Sequence, residues 1–498
     1  MNYMGVDIGT SGCKAVVFAA EGQQIVRSYR EYNVMFTPDG GVELDSREVV
    51  DKCFQVIREC NSALTPGSVK ALAISSQGEA FTAVSNEGEY LCNAMVSSDT
   101  RPTPQVRKWL KKFPEERLYQ ITGHTAHSVF TLFKLLWIKE NRPDVWENTH
   151  KFFCFEDLLH FHFGIEPGIG WSLAGRTMLF DVRKHCWSEE ILSDLELEAD
   201  KLSRPMPSGK IVGKMNSDTA KQLGFSDGVL VVSGGHDQVC SALGAGVIRP
   251  GMAMYASGTV DCISPCFEKP IFNNDLRKSN LCTYDHVIIG LYTSVAYSLT
   301  GGNILKWFRD EFGAEEVIAA GQTGRDAYEL ILSHCWDKPS DLLVLPYFTP
   351  SGTPYFDAET RGAIFGFRIS TKRGEFIRAL LEGVALEMRL NLDIIENSGY
   401  QINELSVVGG GAQSEKWSQL KADVTGKKIN RLCVTEAGCM GAAMLACAAS
   451  SGMKIMDLAE NWIKVKSSLF PDKNNQKIYN EKFEKYKNLY QIVRNAGL

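Results

Sequence analysis

Residues 2–19 read NYMGVDIGTSGCKAVVFA. Asn2–Ile8 and Cys13–Ala19 are rich in apolar and β-branched residues, and the Gly9-Thr10-Ser11-Gly12 punctuation between them predicts a tight β-hairpin. A third strand over Gln24–Asn33 continues the meander. Ser46 then caps a helix whose apolar positions Val49, Val50, Cys53, Phe54, Ile57 and Cys60 recur at helical spacing. Beyond it, VKALAIS (69–75) and AFTAV (80–84) flank the loop Ser76-Gln77-Gly78-Glu79, which projects polar side chains from strand ends.

The same grammar returns further along. A largely helical stretch is predicted from Gln105 to about His162, with Phe133, Leu136 and Trp137 on one face, followed by an irregular segment to Asp181. VLVVSGGHDQVCSALGAG (229–246) reads as strand, glycine turn and a helix beginning near Asp237. MAMYASGTVDCIS (252–264) reads as strand, Ser-Gly-Thr turn, strand, an echo of the first hairpin. A long helix over Thr371–Asn397, a strand at Leu405–Val408 and the loop Gly409-Gly410-Gly411-Ala412 before another helix complete an α/β layering. The Lys- and Asn-rich tail, 472–498, reads as a packed surface helix.

At 498 residues the chain exceeds one core, so two domains are expected, 1–246 and 247–498, with a cleft between them. The net charge of -6 argues against a nucleic-acid groove and favours a small ligand. No signal-peptide pattern opens the chain and no apolar run approaches about 18 residues, which predicts a cytoplasmic protein without membrane contact. The fourteen cysteines are scattered and none stands in CxxC spacing, so reduced thiols are expected. Cys262 with Cys266, and His160 with His162, lack the further ligands a metal site needs. A homodimer is compatible with the sequence, which does not fix oligomeric state.

Phosphoryl transfer needs donors spread over phosphate oxygens, a metal to bridge them and a carboxylate to take the acceptor's proton. The first hairpin offers backbone N–H groups at Gly9, two hydroxyls at Thr10 and Ser11, Lys14, and Asp7 to hold Mg²⁺ through water. Ser257-Gly258-Thr259 repeats the turn, and Gly410 and Gly411 let backbone approach a nucleotide. Asp237, after two glycines, reads equally as a helix cap and as a base kept ionised by the helix dipole; Gln238 beside it tilts the balance to chemistry. A Walker motif is excluded because Gly426-Lys427-Lys428 lacks the hydroxyl residue, and no strand-linked GxGxxG occurs.

In this order the motifs resemble the FGGY carbohydrate kinase family along nearly the whole chain. Asp7–Lys14 looks like its first phosphate motif, Ser257-Gly258-Thr259 its second, and Val408–Ala412, with Trp417, Ala422 and Asp423, its adenosine loop. Lys134-Leu135-Leu136-Trp137-Ile138 and Arg361-Gly362-Ala363-Ile364-Phe365-Gly366 resemble its signature segments. The resemblance implies two ribonuclease-H-like, actin-like ATPase domains, with the sugar bound in the first, ATP mainly on the second, and closure bringing them together. It implies Asp237 as catalytic base, Asp7 on Mg²⁺, and Thr10, Ser11, Lys14, Thr259, Gly302, Gly410 and Gly411 around the nucleotide.

The acceptor side departs from the family pattern. Where xylulose kinases usually carry Gln-Met-His-Gly and glycerol kinases Asn-Gln-Arg-Glu, this chain has Ser76-Gln77-Gly78-Glu79, retaining the Glu of the polyol enzymes without their Arg. Ser97-Ser98-Asp99-Thr100-Arg101 keeps Asp-Thr-Arg but loses the usual Trp, and Pro350–Pro354 lacks the frequent Gly-Glu-Arg. Gln77, Gly78, Glu79, Asp99, Asp237 and Gln238 are the expected acceptor contacts, and no cation for an anionic sugar is assignable among these loops. The expectation is a kinase for a ketopentose such as xylulose. A glycerol- or erythritol-type polyol kinase, or a non-catalytic nucleotide-dependent sensor of the same fold, stands as alternative.

Overall fold

The computed structural model describes residues 1–226 and 228–497. Its first half is built on a six-stranded sheet: β1 (Asn2–Ile8), β2 (Gly12–Ala19), β3 (Gln24–Glu31), β4 (Val69–Ser76), β5 (Ile211–Lys214) and β6 (Leu230–His236), in the order β5-β6-β4-β1-β2-β3. β1, β2 and β3 form the antiparallel meander, and β4 and β6 join in parallel. The second half repeats this plan. β7 (Gly251–Ser257), β8 (Asp261–Phe267) and β9 (Ala296–Ser298) make the meander, β10 (Ile402–Val408) and β11 (Lys428–Leu432) join in parallel, and β12 (Val465–Leu469) pairs antiparallel at the edge. The expected duplicated α/β architecture is therefore present.

Each sheet is sandwiched, which explains why its strands are buried on both faces. Met4, Val6 and Ile8 of β1 pack with Val49, Cys53, Val56 and Ile57 of α1 (Ser46–Ser62) in one core cluster. The opposite face is covered by α2 (Asp237–Gly244) together with a helix from the far end of the chain, whose place is given below. In the second half α3 (Arg373–Asn397) and α4 (Glu415–Thr425) pack on each other, and Leu380, Leu381 and Val384 of α3 share a cluster with Tyr479, Phe483 and Tyr486 of the tail. The tail forms two helices, Lys473–Tyr486 and Leu489–Asn495, held by these aromatics.

The decisive crossing is that of α2 with α5 (Ala437–Ser451), which follows the second sheet yet lies on β1 and β4 of the first. A Cβ at Gly441 would stand 1.9 Å from the carbonyl oxygen of Cys240, and one at Gly244 would stand 1.9 Å from that of Ala437. Only glycine permits such backbone contact. The first turns of both helices are thereby brought to the C-terminal end of β1, beside Asp7.

Local details depart from expectation. The cap of α1 is Asp45, whose carboxylate accepts from the N–H of Arg47 at 2.9 Å and of Glu48 at 3.3 Å, rather than Ser46. The helical stretch after Gln105 is divided into five short helices between Thr103 and His162, two of them starting at or just after Pro143 and Pro114, which cannot donate to a continuing helix. The segment read as irregular contains a helical turn, Trp171–Gly175. Among the described residues no helix is long and apolar enough to cross a membrane, and the fourteen cysteines are free.

Candidate active site

β1 delivers Asp7 to the cleft with its side chain 18% exposed. The Ser75 hydroxyl donates to its Oδ1 at 2.7 Å, and Lys14, opposite it in the hairpin register, brings Nζ to 3.6 Å from Oδ2. Lys14 also donates to Glu436 at 2.9 Å, just before α5. Burial alone would lower the Lys14 pKa, but Asp7 and Glu436 carry it above the usual lysine range. Thr10 and Ser11 are exposed at the turn. Gly9 accepts from the Tyr32 hydroxyl at 2.5 Å and from Gln77 Nε2 at 3.1 Å, while Thr10 Oγ1 donates to Gln77 Oε1 at 3.1 Å. The Gln77 amide is thus engaged on the hairpin turn.

Asp237 is the first residue of α2, and His236 occupies the cap position without a side-chain capping bond. The cap reading of Asp237 is thereby removed. Its carboxyl is pushed up to about 7, first by burial and then by Asp7 and Glu79, against the Gln238 N–H and Arg176. That corrects the expectation of a dipole-ionised carboxylate: two neighbouring acids and a desolvated position outweigh the helix terminus. His236 Nε2 stands 3.2 Å from Asp237 Oδ1, and its Nδ1 meets the Tyr284 hydroxyl at 2.9 Å. Burial, then Arg176 and His124, hold His236 well below its ordinary pKa, as a neutral imidazole. Gln238 Oε1 is buried without a hydrogen-bond partner among the described residues.

On the donor side a cavity of about 810 Å³ is lined by Gly258, Thr259, Gly302, Gly410 and Gly411, with Trp417 as a wall. Gly409, at φ 89°, makes the turn out of β10. Ala412 lies beneath the loop, its carbonyl accepting from Arg431 Nε at 3.3 Å. Arg431 is buried and also binds the Gln413 carbonyl at 2.9 Å, a support the sequence did not reveal. Asp237 does not line this cavity.

On the acceptor side Glu79 is buried at 4% exposure and adopts φ 65°. This is no solvated loop end. Its Oε1 accepts from Arg176 Nε at 2.5 Å and its Oε2 from the Ser97 hydroxyl at 2.8 Å. Its carbonyl accepts from Thr131 Oγ1 at 3.0 Å and from Lys134 Nζ at 3.1 Å, so the first signature segment braces the Glu79 turn from beneath. Lys134 is lowered to about 8, chiefly by burial. Arg176 is the functional candidate that sequence reasoning missed. The available signal was a single charge among Leu173, Ala174, Met178, Leu179 and Phe180, where a cation is stable only with a buried partner.

Asp99 is corrected. It has no exposed surface, accepts from Arg101 at 2.6 Å and 3.0 Å and from the Val42 N–H at 3.1 Å, and is fully committed to that network.

The Mg²⁺ expectation can be tested against the residues present. The absent side chain of Gly438, whose Cβ would stand 3.0 Å from Asp7 Oδ1, leaves space beside that oxygen. Among the described residues no three His, Cys, Asp or Glu side chains converge as a metal cage. A Mg²⁺ shared between one carboxylate, water and substrate phosphates requires none, so the residues fit.

Two family models match the chain: the N-terminal domain of the FGGY family of carbohydrate kinases over residues 2–244, and its C-terminal domain over 265–450. A xylulose kinase of Bacillus subtilis (strain 168) is 26% identical over 501 residues, covering 100% of this chain and 98% of its own. An autoinducer-2 kinase of Escherichia coli (strain K12) is 28% identical over 506 residues, covering 98% and 94%. The crystal structure of a xyloylose kinase from Brucella ovis superposes with a TM-score of 0.89 over 100% of both chains at 23% identity, which speaks to the fold.

Proposed function

The chain belongs to the FGGY family of carbohydrate kinases, and from that membership we propose that it phosphorylates a neutral ketopentose such as xylulose, with Asp237 as base. Its class is that of an ATP-dependent phosphotransferase with an alcohol group as acceptor. The observation that carries the reading is the placement of Asp237, on the first turn of α2, between Asp7 and the Glu79–Arg176 pair, with a carboxyl poised near 7.

In this reading the acceptor hydroxyl gives its proton to Asp237 as its oxygen attacks the γ-phosphorus. A new O–P bond forms, the bond to the β-phosphate oxygen breaks, and ADP leaves. The N–H groups of Thr10 and Ser11 and the ammonium of Lys14 meet the transferring phosphate, while the N–H of Gly9, expected among these donors, is spent on the Gly12 carbonyl at 3.0 Å. Thr259 is the donor to the remaining phosphates, Gly258 and Gly302, whose N–H groups are spent on the Val260 and Gly258 carbonyls, leave room for them, and Gly410, Gly411 and Ala412 lie against the adenosine. Asp7 is the residue for Mg²⁺, which supplies charge neutralisation at the phosphates when bound. We take residues 1–246 as the acceptor domain and 247–498 as the nucleotide domain, with α5 reaching back across the boundary. The reduced cysteines and the need for ATP suit the cytoplasm.

ADP release measured over a panel of ketopentoses and polyols tests the substrate. Turnover confined to glycerol or erythritol would replace the ketopentose reading, which the buried Glu79–Arg176 pair makes a real competitor. Asp237→Ala is expected to lower acceptor-dependent turnover at least about 100-fold while ATP still binds. Near-normal turnover in that variant sinks the mechanism, whereas absence of acceptor-dependent turnover in the wild-type protein would leave the sensor reading.

A further inference from the structure

Gly78 and Arg176 are complementary. A Cβ at Gly78 would stand 3.4 Å from Arg176 Cγ and 3.0 Å from His236 Nε2, so the missing side chain makes room for an arginine arriving from another element. Arg176 follows the turn Trp171–Gly175, and its guanidinium lies 5.0 Å from the Phe130 ring and 5.7 Å from the Tyr284 ring. Two of its nitrogens are committed to Glu79 Oε1. The third, Nη1, meets no acceptor among the described residues, and the side chain keeps 13% of its surface exposed.

We propose that Arg176 determines acceptor specificity: Nη1 donates to one oxygen of the acceptor while Glu79 accepts from the neighbouring hydroxyl. The inference rests on the kinase reading and adds to it the stereochemical feature that the site reads, a vicinal pair of oxygens next to the hydroxyl held by Asp237. His236 connects the two sides: a Cβ at Gly78 would stand 3.0 Å from its Nε2, which lies 3.2 Å from Asp237 Oδ1. Glu79 cancels the charge of Arg176, and Asp7 and Asp237 add negative charge nearby, so a neutral polyhydroxylated acceptor is favoured over a sugar acid. A donor and an acceptor fixed side by side accept one relative configuration of two carbons and leave a buried group unpaired with the other.

The test measures kcat/KM for D-xylulose, D-ribulose, L-xylulose and L-ribulose with the wild-type protein, Arg176→Gln and Arg176→Lys. Wild type is expected to separate the best from the worst ketopentose at least about 30-fold, and Arg176→Gln to compress that range to within about 3-fold, with Arg176→Lys between them. Equal discrimination in wild type and Arg176→Gln overturns the inference. Should Arg176→Gln fail to fold, Arg176→Lys carries the test, and a wild-type range retained in it overturns the inference as well. Wild-type inactivity on all four sugars counts against the ketopentose reading instead. Erythritol against D- and L-threitol then poses the same stereochemical question, with the same outcomes deciding it.

Discussion

The hairpin of β1 and β2 and the hairpin of β7 and β8 share a backbone plan and handle charge in opposite ways. In the first, Asp7 faces Lys14 across the register and both keep access to the cleft, at 18% and 29% exposure. In the second, Ser257 faces Asp261, which has no exposed surface. Asp261 accepts from the Tyr255 hydroxyl at 2.7 Å and lies 3.5 Å from Lys421 of α4. Lys421 in turn donates to Ser257 and sits over the rings of Tyr255 at 4.1 Å and Trp417 at 4.7 Å. One hairpin leaves its charges half free for a ligand. The other spends them on holding its own turn and the wall of the nucleotide cavity.

The sharpest way to break this contrast is to neutralise the two acids. Asp7→Asn is expected to lower kcat by about 10³-fold with the melting temperature nearly unchanged, because a charge aimed at the transferring group is lost while Lys14 keeps its closer partner, Glu436, at 2.9 Å. Asp261→Asn should do the reverse, losing stability and keeping most of its turnover per folded molecule. The contrast fails if Asp7→Asn melts early or if Asp261→Asn is stable and inactive.

Lys421→Met probes the second hairpin from the other side. Methionine fills the space between Tyr255 and Trp417 but leaves Asp261 without its cation, which costs about 3 kcal/mol for a buried pair broken on one side. Burial lowers Lys421 to about 8 and Asp261 opposes that, so Lys421 still holds its proton at neutral pH. Urea denaturation should show the loss. An unchanged midpoint would mean that the network is not structural.

These partners also show what the sequence could express. The hairpins, the glycine loops and the first turn of α2 were legible because each is encoded within a few consecutive residues, where periodicity and turn chemistry act. Arg176 meets Glu79 across 97 residues and Lys421 meets Ser257 across 164, and no local pattern announces either meeting. Asp99 misled for the same reason. Its Asp-Thr-Arg context was visible, but its confinement by Val42, Glu43 and Arg101 belongs to a strand folded in from 57 residues earlier. The ionisation of Asp237 was misjudged because the helix terminus is local while Asp7 and Glu79 are not.

The smallest expected effect asks whether the two halves unfold as one body, as the lodging of α5 on the first sheet implies. Each half carries a carboxyl that burial pushes up to about 7: Glu156, bonded by the N–H groups of Gly170 at 3.0 Å and Gly234 at 2.8 Å, and Glu387, bonded by the hydroxyls of Tyr347 at 2.9 Å and Tyr486 at 2.5 Å. A carboxyl whose folded pKa lies above its unfolded value near 4.5 binds more protons when folded, so its contribution to stability is present below about 4.5 and is lost as pH rises through about 7. The loss is at most about 1.4 kcal/mol per pH unit for each group. Glu156→Gln and Glu387→Gln remove that slope, so the melting temperature of each variant relative to wild type should climb between pH 5 and 7 and level off above. If the halves unfold together, each substitution moves the single transition by the same sign. If Glu387→Gln moves one transition and Glu156→Gln another, the α2–α5 crossing does not couple them, and the two hairpins belong to independently melting domains. Parallel curves for variant and wild type at all pH values would instead remove these carboxyls as the titrating groups.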